Sequence, residues 1–297
     1  MTGAATHPAY GLVRPVTPIA SVLLAPNPSP MTLDGTNTWL LRAPGESTCL
    51  VVDPGPNLPE HLARIVEAGP VTAILLTHGH PDHADGARAL HDLTGAPVRA
   101  LDPRHRYGVE GLSPGDVVTG AGLALRVVGT PGHTGDSLSF LVPAAGPSAA
   151  AGPSGAAGAS GAAGASAAVG ASTAAVLTGD TVLGRGTTVV AHPDGRLGEY
   201  LDSLRRLHDL AVESGGMIAV LPGHGPELPD LAAATSGYLH HRVARLEQVR
   251  AALALVGPAA TAADVVAVVY ADVDPVLWPA AELSVRAAVE YLRAGPS

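Results

Sequence analysis

Three of the thirteen histidines fall within six positions, in Thr77-His78-Gly79-His80-Pro81-Asp82-His83. Imidazole and carboxylate are the nitrogen and oxygen donors that zinc takes at about 2.0–2.2 Å per bond. Three more segments have the same makeup: Thr130-Pro131-Gly132-His133-Thr134, Thr178-Gly179-Asp180-Thr181 and Pro222-Gly223-His224-Gly225. In each, a ligand-type side chain stands beside a glycine, which lets the backbone turn sharply and stay clear of an ion. A lone loop histidine is ordinary surface. The seven together, in this order, read as a metal site: His78, His80, Asp82, His83, His133, Asp180 and His224. His7, His61, His91, His105, His192, His208, His240 and His241 lack that setting and are assigned no metal role. Gly-x-Ser-x-Gly is absent, which argues against an α/β serine hydrolase.

Short apolar runs stop just before each motif and must position it. Residues 50–53, 73–77, 123–128, 174–178 and 217–221 read as buried strands. Residues 59–68 and 84–93 have helical spacing, and over 200–214 Leu201, Leu204, Leu207 and Leu210 share one face. Strands alternating with helices make a layered α/β domain, whose strand ends are where functional groups collect. The 77–83 motif reads as a loop, which can point successive side chains at two different ions.

Residues 144–173 are almost wholly Ala, Gly, Ser and Pro, which supply no core side chains, so they read as a flexible insertion in a hydrolase domain spanning 1–236. From residue 237 to 297 a small helical module is expected. Residues 239–255 form its first helix, Thr261 and Asp264 pair as a cap, and Pro279 opens the last helix, with Val285, Val289 and Leu292 on one face.

Charged residues make up 14% against 46% hydrophobic, the balance of a folded rather than a disordered chain. The net charge is −9 and every basic side chain is Arg, so the chain has no global attraction for phosphate backbones or anionic membranes. With Cys49 the single cysteine, no intramolecular disulfide forms and the metal ligands must be nitrogen and oxygen. No transmembrane helix or leader is evident in the sequence. The expectation is a cytoplasmic protein, with no obligate protein partner and no assigned oligomeric state.

His-x-His-x-Asp-His followed by distant His, Asp and His resembles the metallo-β-lactamase superfamily. The resemblance covers roughly residues 20–230 and implies an αββα sandwich with metals at one edge. It further implies that His78, His80 and His133 hold one ion, that Asp82, His83 and His224 hold the second, and that Asp180 bridges both. Asp53, in Val51-Val52-Asp53-Pro54-Gly55, matches the superfamily's first motif and is expected to fix a ligand imidazole. Gly35-Thr36-Asn37-Thr38-Trp39-Leu40, Gly186-Thr187-Thr188, Tyr238…His241-Arg242…Arg245…Gln248 and Thr261 to Val266 are similar to the lactamase-beta-like protein 2, or endoribonuclease-type, group. That likeness implies a C-terminal winged-helix-like domain. Ala84-Asp85-Gly86 departs from the group's small residue followed by Gly-Gly and sets Asp85 beside the ligands.

The expected activity is that of a binuclear zinc hydrolase, in which a hydroxide held between two ions attacks a carbonyl carbon or phosphorus. Asp82 and Asp180 carry the catalytic role. Asn37, Thr187, Arg242 and Arg245 are candidate substrate contacts. The resemblance points to single-stranded RNA as substrate. Thioester or ester hydrolysis of the glyoxalase-II or acyl-carrier thioesterase type is the close alternative, because it needs no basic groove. A catalytically inactive binding protein, or manganese or iron in place of zinc, are the further alternatives.

Overall fold

The computed structural model describes residues 7–144, 173–257 and 259–295. Two sheets face each other. The first runs in chain order: β1 (Val13–Thr17), β2 (Ala20–Leu24), β3 (Asn37–Leu41), β4 (Cys49–Val52), β5 (Val71–Leu75) and β6 (Val98–Arg99). The second contains β7 (Val117–Gly120), β8 (Leu123–Gly129), β9 (Leu138–Pro143), β10 (Thr173–Gly179) and β11 (Ala219–Pro222), ordered 11-10-9-8-7. Between them lies a core of Trp39, Leu41, Leu50, Val52 and Leu75 against Leu125, Val127, Phe140, Leu177 and Leu221. With aromatics scarce, this core is built from aliphatic side chains, each contributing about 1.5–3 kcal/mol when fully buried.

Helices cover both outer faces. Helices α1 (Pro59–Glu67) and α2 (Pro81–Thr94) pack Leu62, Ile65, Ala87 and Leu90 onto Leu40, Val51 and Ile74 of the first sheet. On the other side, α3 (Leu197–Glu213), α4 (Leu231–Val256), α5 (Ala262–Val269) and α6 (Trp278–Ala294) share one core with Val128, Leu141, Val176 and Val220 of the second sheet. The architecture is the αββα sandwich expected, with an all-helical C-terminus among the described residues. No helix there is long and apolar enough to cross a membrane.

Strand direction brings the motifs to one edge. Strand β9 is antiparallel to both β8 and β10, and β11 is parallel to β10, so β8, β10 and β11 all run the same way. Their carboxyl ends deliver His133, Asp180 and His224 together. Parallel β4 and β5 do the same for Asp53 and for His78 with its neighbours. The sheets are stitched at this edge where Asn37 N donates to the Gly223 carbonyl at 2.8 Å.

Three expectations need revision. Helix α2 begins at Pro81, not Ala84, with His80 as its N-cap, so Asp82 and His83 stand in a helical first turn rather than a loop. Proline's fixed φ and missing N–H suit that first position, which is why the motif can enter a helix without losing a hydrogen bond. Helix α3 likewise starts three residues early, at Leu197. Helix α4 begins at Leu231 rather than at 239 and runs unbroken to Val256. The capping box of Thr261 with Asp264 and the proline in the first turn of α6 are as read. Of the Ala/Gly-rich tract, residues 145–172 lie outside the described residues; its flanks pair Pro143 with Thr173 on adjacent strands.

Candidate metal centre

His78, His80 and His133 converge: His78 Nε2 and His133 Nε2 each lie 3.0 Å from His80 Nδ1. Asp82, His83 and His224 form a second trio, with His224 Nε2 3.1 Å from Asp82 Oδ2 and 3.2 Å from His83 Nε2. Asp180 stands between them. Its Oδ2 is 3.7 Å from His133 Nε2 and 3.5 Å from His224 Nε2, and its Oδ1 is 3.4 Å from His83 Nε2. The structure thus gathers all seven sequence-nominated side chains into one cluster, and each trio is compact enough to hold an ion. His80, Asp82 and Asp180 are the partly exposed members, Asp82 more so than Asp180, and mark the open side.

The two trios carry opposite electrostatics. Burial, aided by neighbouring imidazoles, pushes His78 well below the ordinary histidine value. Burial also takes His133 down to about 4, outweighing the pull of Asp180. In the other trio burial is overcome by the carboxylates. His83 is raised well above the usual value by Asp180, Asp82 and Asp53, and His224 is raised to about 9 by Asp180 and Asp82. Reciprocally, His83 and His224 hold Asp82 near 2 and Asp180 well below the carboxylate range, against the effect of burial.

Five of the seven ligands are steered by a partner behind them. Asp53, held at a positive φ of 52°, places Oδ2 2.9 Å from His83 Nδ1 and accepts from Thr77 N and Thr77 Oγ1 at 2.8 and 2.7 Å. Thr77 Oγ1 in turn lies 3.0 Å from His78 Nδ1, so one carboxylate orients an imidazole in each trio. His133 Nδ1 donates to the Val189 carbonyl at 2.6 Å, and His224 Nδ1 donates to the Gly35 carbonyl at 3.1 Å. Thr36 Oγ1 reaches Asp82 Oδ2 at 3.5 Å. These backing contacts fix tautomer and ring direction, the role such partners play behind metal ligands. Gly223 is forced by space: a Cβ there would come within 2.6 Å of Asp180 Oδ1 and 2.7 Å of His83 Cε1.

The candidate substrate contacts are placed otherwise. Asn37 is buried, and its amide donates to the carbonyls of Pro222 and Gly225, clasping the loop that carries His224. Thr187 is exposed, while its neighbour Thr188 is buried with Oγ1 3.2 Å from His133 Nδ1. Arg242 is buried, donates to the Thr188 carbonyl and lies over the Tyr200 ring. Arg245 donates to the Val269 carbonyl and covers Tyr270. Arg250 pairs with Glu247 on the surface. Asp85 is exposed on α2 and makes no hydrogen bond to the cluster. Asn37, Arg242 and Arg245 each place N–H groups on internal carbonyls, while Arg242 Nε and Arg245 Nε are buried with no hydrogen-bond partner among the described residues.

One rim residue escaped the sequence reading. A Cβ on Gly79 would meet His105 Nε2 at 2.5 Å and Asp136 Oδ2 at 3.2 Å, so both border the motif. His105 arrives from a short 3-10 turn, Pro103–His105, and nothing in its local sequence announces this. Asp136 accepts from Thr134 Oγ1, and Asp194 accepts from Gly135 N at 2.9 Å. Arg104, paired with Asp102, feels both of these carboxylates. This side of the opening is consequently acidic.

Comparison with known proteins agrees with the geometry. The family model described as metallo-beta-lactamase superfamily matches residues 31–146, and that of the beta-lactamase associated winged helix domain matches 261–294. An atrochrysone carboxyl ACP thioesterase of Aspergillus chevalieri is 30% identical over 250 residues, 81% of this chain and 68% of the relative. A beta-lactamase-like protein 2 homolog of Drosophila melanogaster is 27% identical over 287 residues, 89% of this chain and 84% of the relative. The crystal structure of a beta-lactamase domain protein from Burkholderia ambifaria superposes with a TM-score of 0.72 at 25% identity, covering 99% of this chain and 91% of that one.

Proposed function

Because the chain belongs to the metallo-β-lactamase superfamily and is a hydrolase, we propose that it is a binuclear zinc enzyme acting on small thioesters or related acyl esters. The donor set fits two zinc ions. Three imidazole nitrogens meet at 3.0 Å, burial keeps His78 and His133 unprotonated, and Asp180 Oδ1 is buried with no hydrogen-bond donor. Convergent lone pairs of this kind, out of water, call for a cation. When bound, such ions supply Lewis acidity and bring the pKa of a water toward 7.

The chain's own groups do the rest. Asp82, on the open side, can orient an attacking water through Oδ2, and His224 and Thr36 hold that oxygen in place. Asp180, mostly buried and kept ionised, offers fixed negative charge between the trios. Asp53 and the Val189 and Gly35 carbonyls lock the imidazoles before substrate arrives, so little reorganisation is needed during reaction.

The observation that carries the substrate class is the pair of carboxylates, Asp136 and Asp194, beside the 77–83 motif, with Arg104 nearby already paired with Asp102. Arg242 and Arg245 donate to carbonyls inside the fold. Carbonyl attack on a neutral acyl group tolerates that rim, whereas an RNA backbone is repelled by it. A cytoplasmic setting, in which Cys49 stays reduced, accompanies this reading. The test is turnover of an acyl-thioester and of a fluorescent single-stranded RNA at physiological salt, with and without chelator. Chelator-sensitive thioester hydrolysis is expected. RNA cleavage lost in His80→Ala, with no thioester turnover, would replace the thioesterase reading by a nuclease one.

A further inference from the structure

One ligand hangs from a segment that the C-terminal helices hold. Between β10 and α3 the chain passes through residues 183–196 with no regular hydrogen-bonded element, so side chains must fix it. This segment supplies the Val189 carbonyl that takes the His133 Nδ1 proton, and Ala191 N donates back to the His133 carbonyl at 3.0 Å. Tyr238 of α4 and Glu290 of α6 hold its two ends, through Leu183 N and through His192 and Arg196, and two tethers reach its middle, beside Val189. Arg242 of α4 donates to the Thr188 carbonyl, and Val190 N donates to Ser284 Oγ of α6 at 3.1 Å. Arg242 is 6% exposed and its guanidinium carbon sits 5.0 Å from the Tyr200 ring centre, whose hydroxyl donates to the Thr181 carbonyl beside Asp180. The side chains of Asp82, His83 and His224 are backed instead by Gly35, Thr36 and Asp53, on loops of the first sheet, and the segment meets His224 only at its backbone carbonyl, through Gly184 N at 2.9 Å.

We propose that Arg242 is a positioning residue for metal retention: through the Thr188 carbonyl it sets the segment that aims His133, so the C-terminal helices govern one trio's hold on its ion and not the other's. The inference rests on the metal reading above. Its physical basis is that the hydrogen bond behind a ligating imidazole fixes the ring, and loosening such a contact costs about 10–100-fold in metal affinity. A planar guanidinium that both stacks and donates is not replaced by lysine.

Arg245 provides the internal control. It lies three residues along the same helix, donates to the Val269 carbonyl at 2.8 Å and covers the Tyr270 ring at 4.2 Å, but makes no contact leading to the cluster. Zinc retention by the full-length protein is measured by competition with a chromogenic chelator for wild type, Arg242→Met, Arg242→Lys, Arg245→Met and Ser284→Ala. His133→Ala and His224→Ala identify the two binding steps. Arg242→Met is expected to weaken the step lost in His133→Ala by about 10–100-fold, with the other step unchanged. Arg242→Lys should fall short of rescue, and Ser284→Ala should give a smaller shift in the same step. Arg245→Met should keep both ions while losing comparable thermal stability. Equal weakening of both steps, equal weakening in Arg245→Met, or no change in Arg242→Met overturns the proposal. Should Arg242→Met fail to fold, Ser284→Ala decides, and an unchanged first step in that variant overturns it. A wild type that holds no zinc defeats the metal reading instead.

Discussion

His133 and His224 are both buried imidazoles at strand ends, yet they belong to differently built halves. His133 sits with His78, and burial keeps both imidazoles uncharged; His133 is aimed by an irregular segment that α4 and α6 tether. His224 sits with His83 among carboxylates that keep both protonated, aimed by the Gly35 carbonyl and clasped by Asn37. The same side-chain type therefore waits as a free base in one half and as half of an ion pair in the other. What separates them is the count of carboxylates: Asp82 and Asp53 face the second trio, and Asp180 alone reaches across to the first.

Removing the residue common to both halves should have the largest effect. Asp180→Ala is expected to weaken both ions and to lower turnover by more than the roughly 100-fold that outer contacts command. Metal analysis with a turnover assay checks it, and full zinc content with normal turnover would break the cluster as drawn.

The charge difference predicts a pH split in metal uptake. His224, held near 9 by Asp180 and Asp82 against the effects of burial and of His83, keeps its proton below that pH, and an ion must displace it. Affinity of the second trio should thus fall with falling pH below about 9, by about tenfold per unit for each proton released. His133, near 4, is already a free base at neutral pH, so its contribution to uptake by the first trio should be flat between pH 6 and 8. Chelator titrations at pH 6, 7 and 8 measure both slopes; equal slopes would erase the distinction.

The smallest effect is the mirror image of the Arg242 variant. Asn37→Ala frees the Pro222 and Gly225 carbonyls that bracket His224, and should weaken only the second step, by about tenfold. The Pro222 carbonyl keeps Trp39 Nε1 as a donor at 3.1 Å, so the stability cost, about 1–3 kcal/mol, falls on the Gly225 carbonyl. Weakening of the His133 step in this variant would show that the halves are not independently held.

The seven ligand types were legible because their four segments each follow a short apolar run and contain a glycine beside a ligand-type side chain, a local pattern that needs no tertiary knowledge. A layered α/β domain was legible from strands that alternate with helices, whereas the sandwich itself was implied by the family resemblance. Helix starts were misjudged at α2 and α3 because first-turn residues such as Asp82 and Leu197 carry no distinctive periodicity. Asn37 and Arg242 were noticed as motif members but expected at substrate. Polar side chains in a motif look alike whether they face solvent or a buried carbonyl.

The sequence alone determined which atoms can ligate a cation and in what order they arrive, since donor chemistry is a property of residue type. Only the tertiary structure decided how they are grouped and charged. Two trios share Asp180, His105 is brought from a distant turn to Gly79, and Arg242 is spent on Thr188. Those outcomes depend on strand direction, burial and distances between segments far apart in the chain. Coulomb and desolvation terms follow those distances rather than position along the chain.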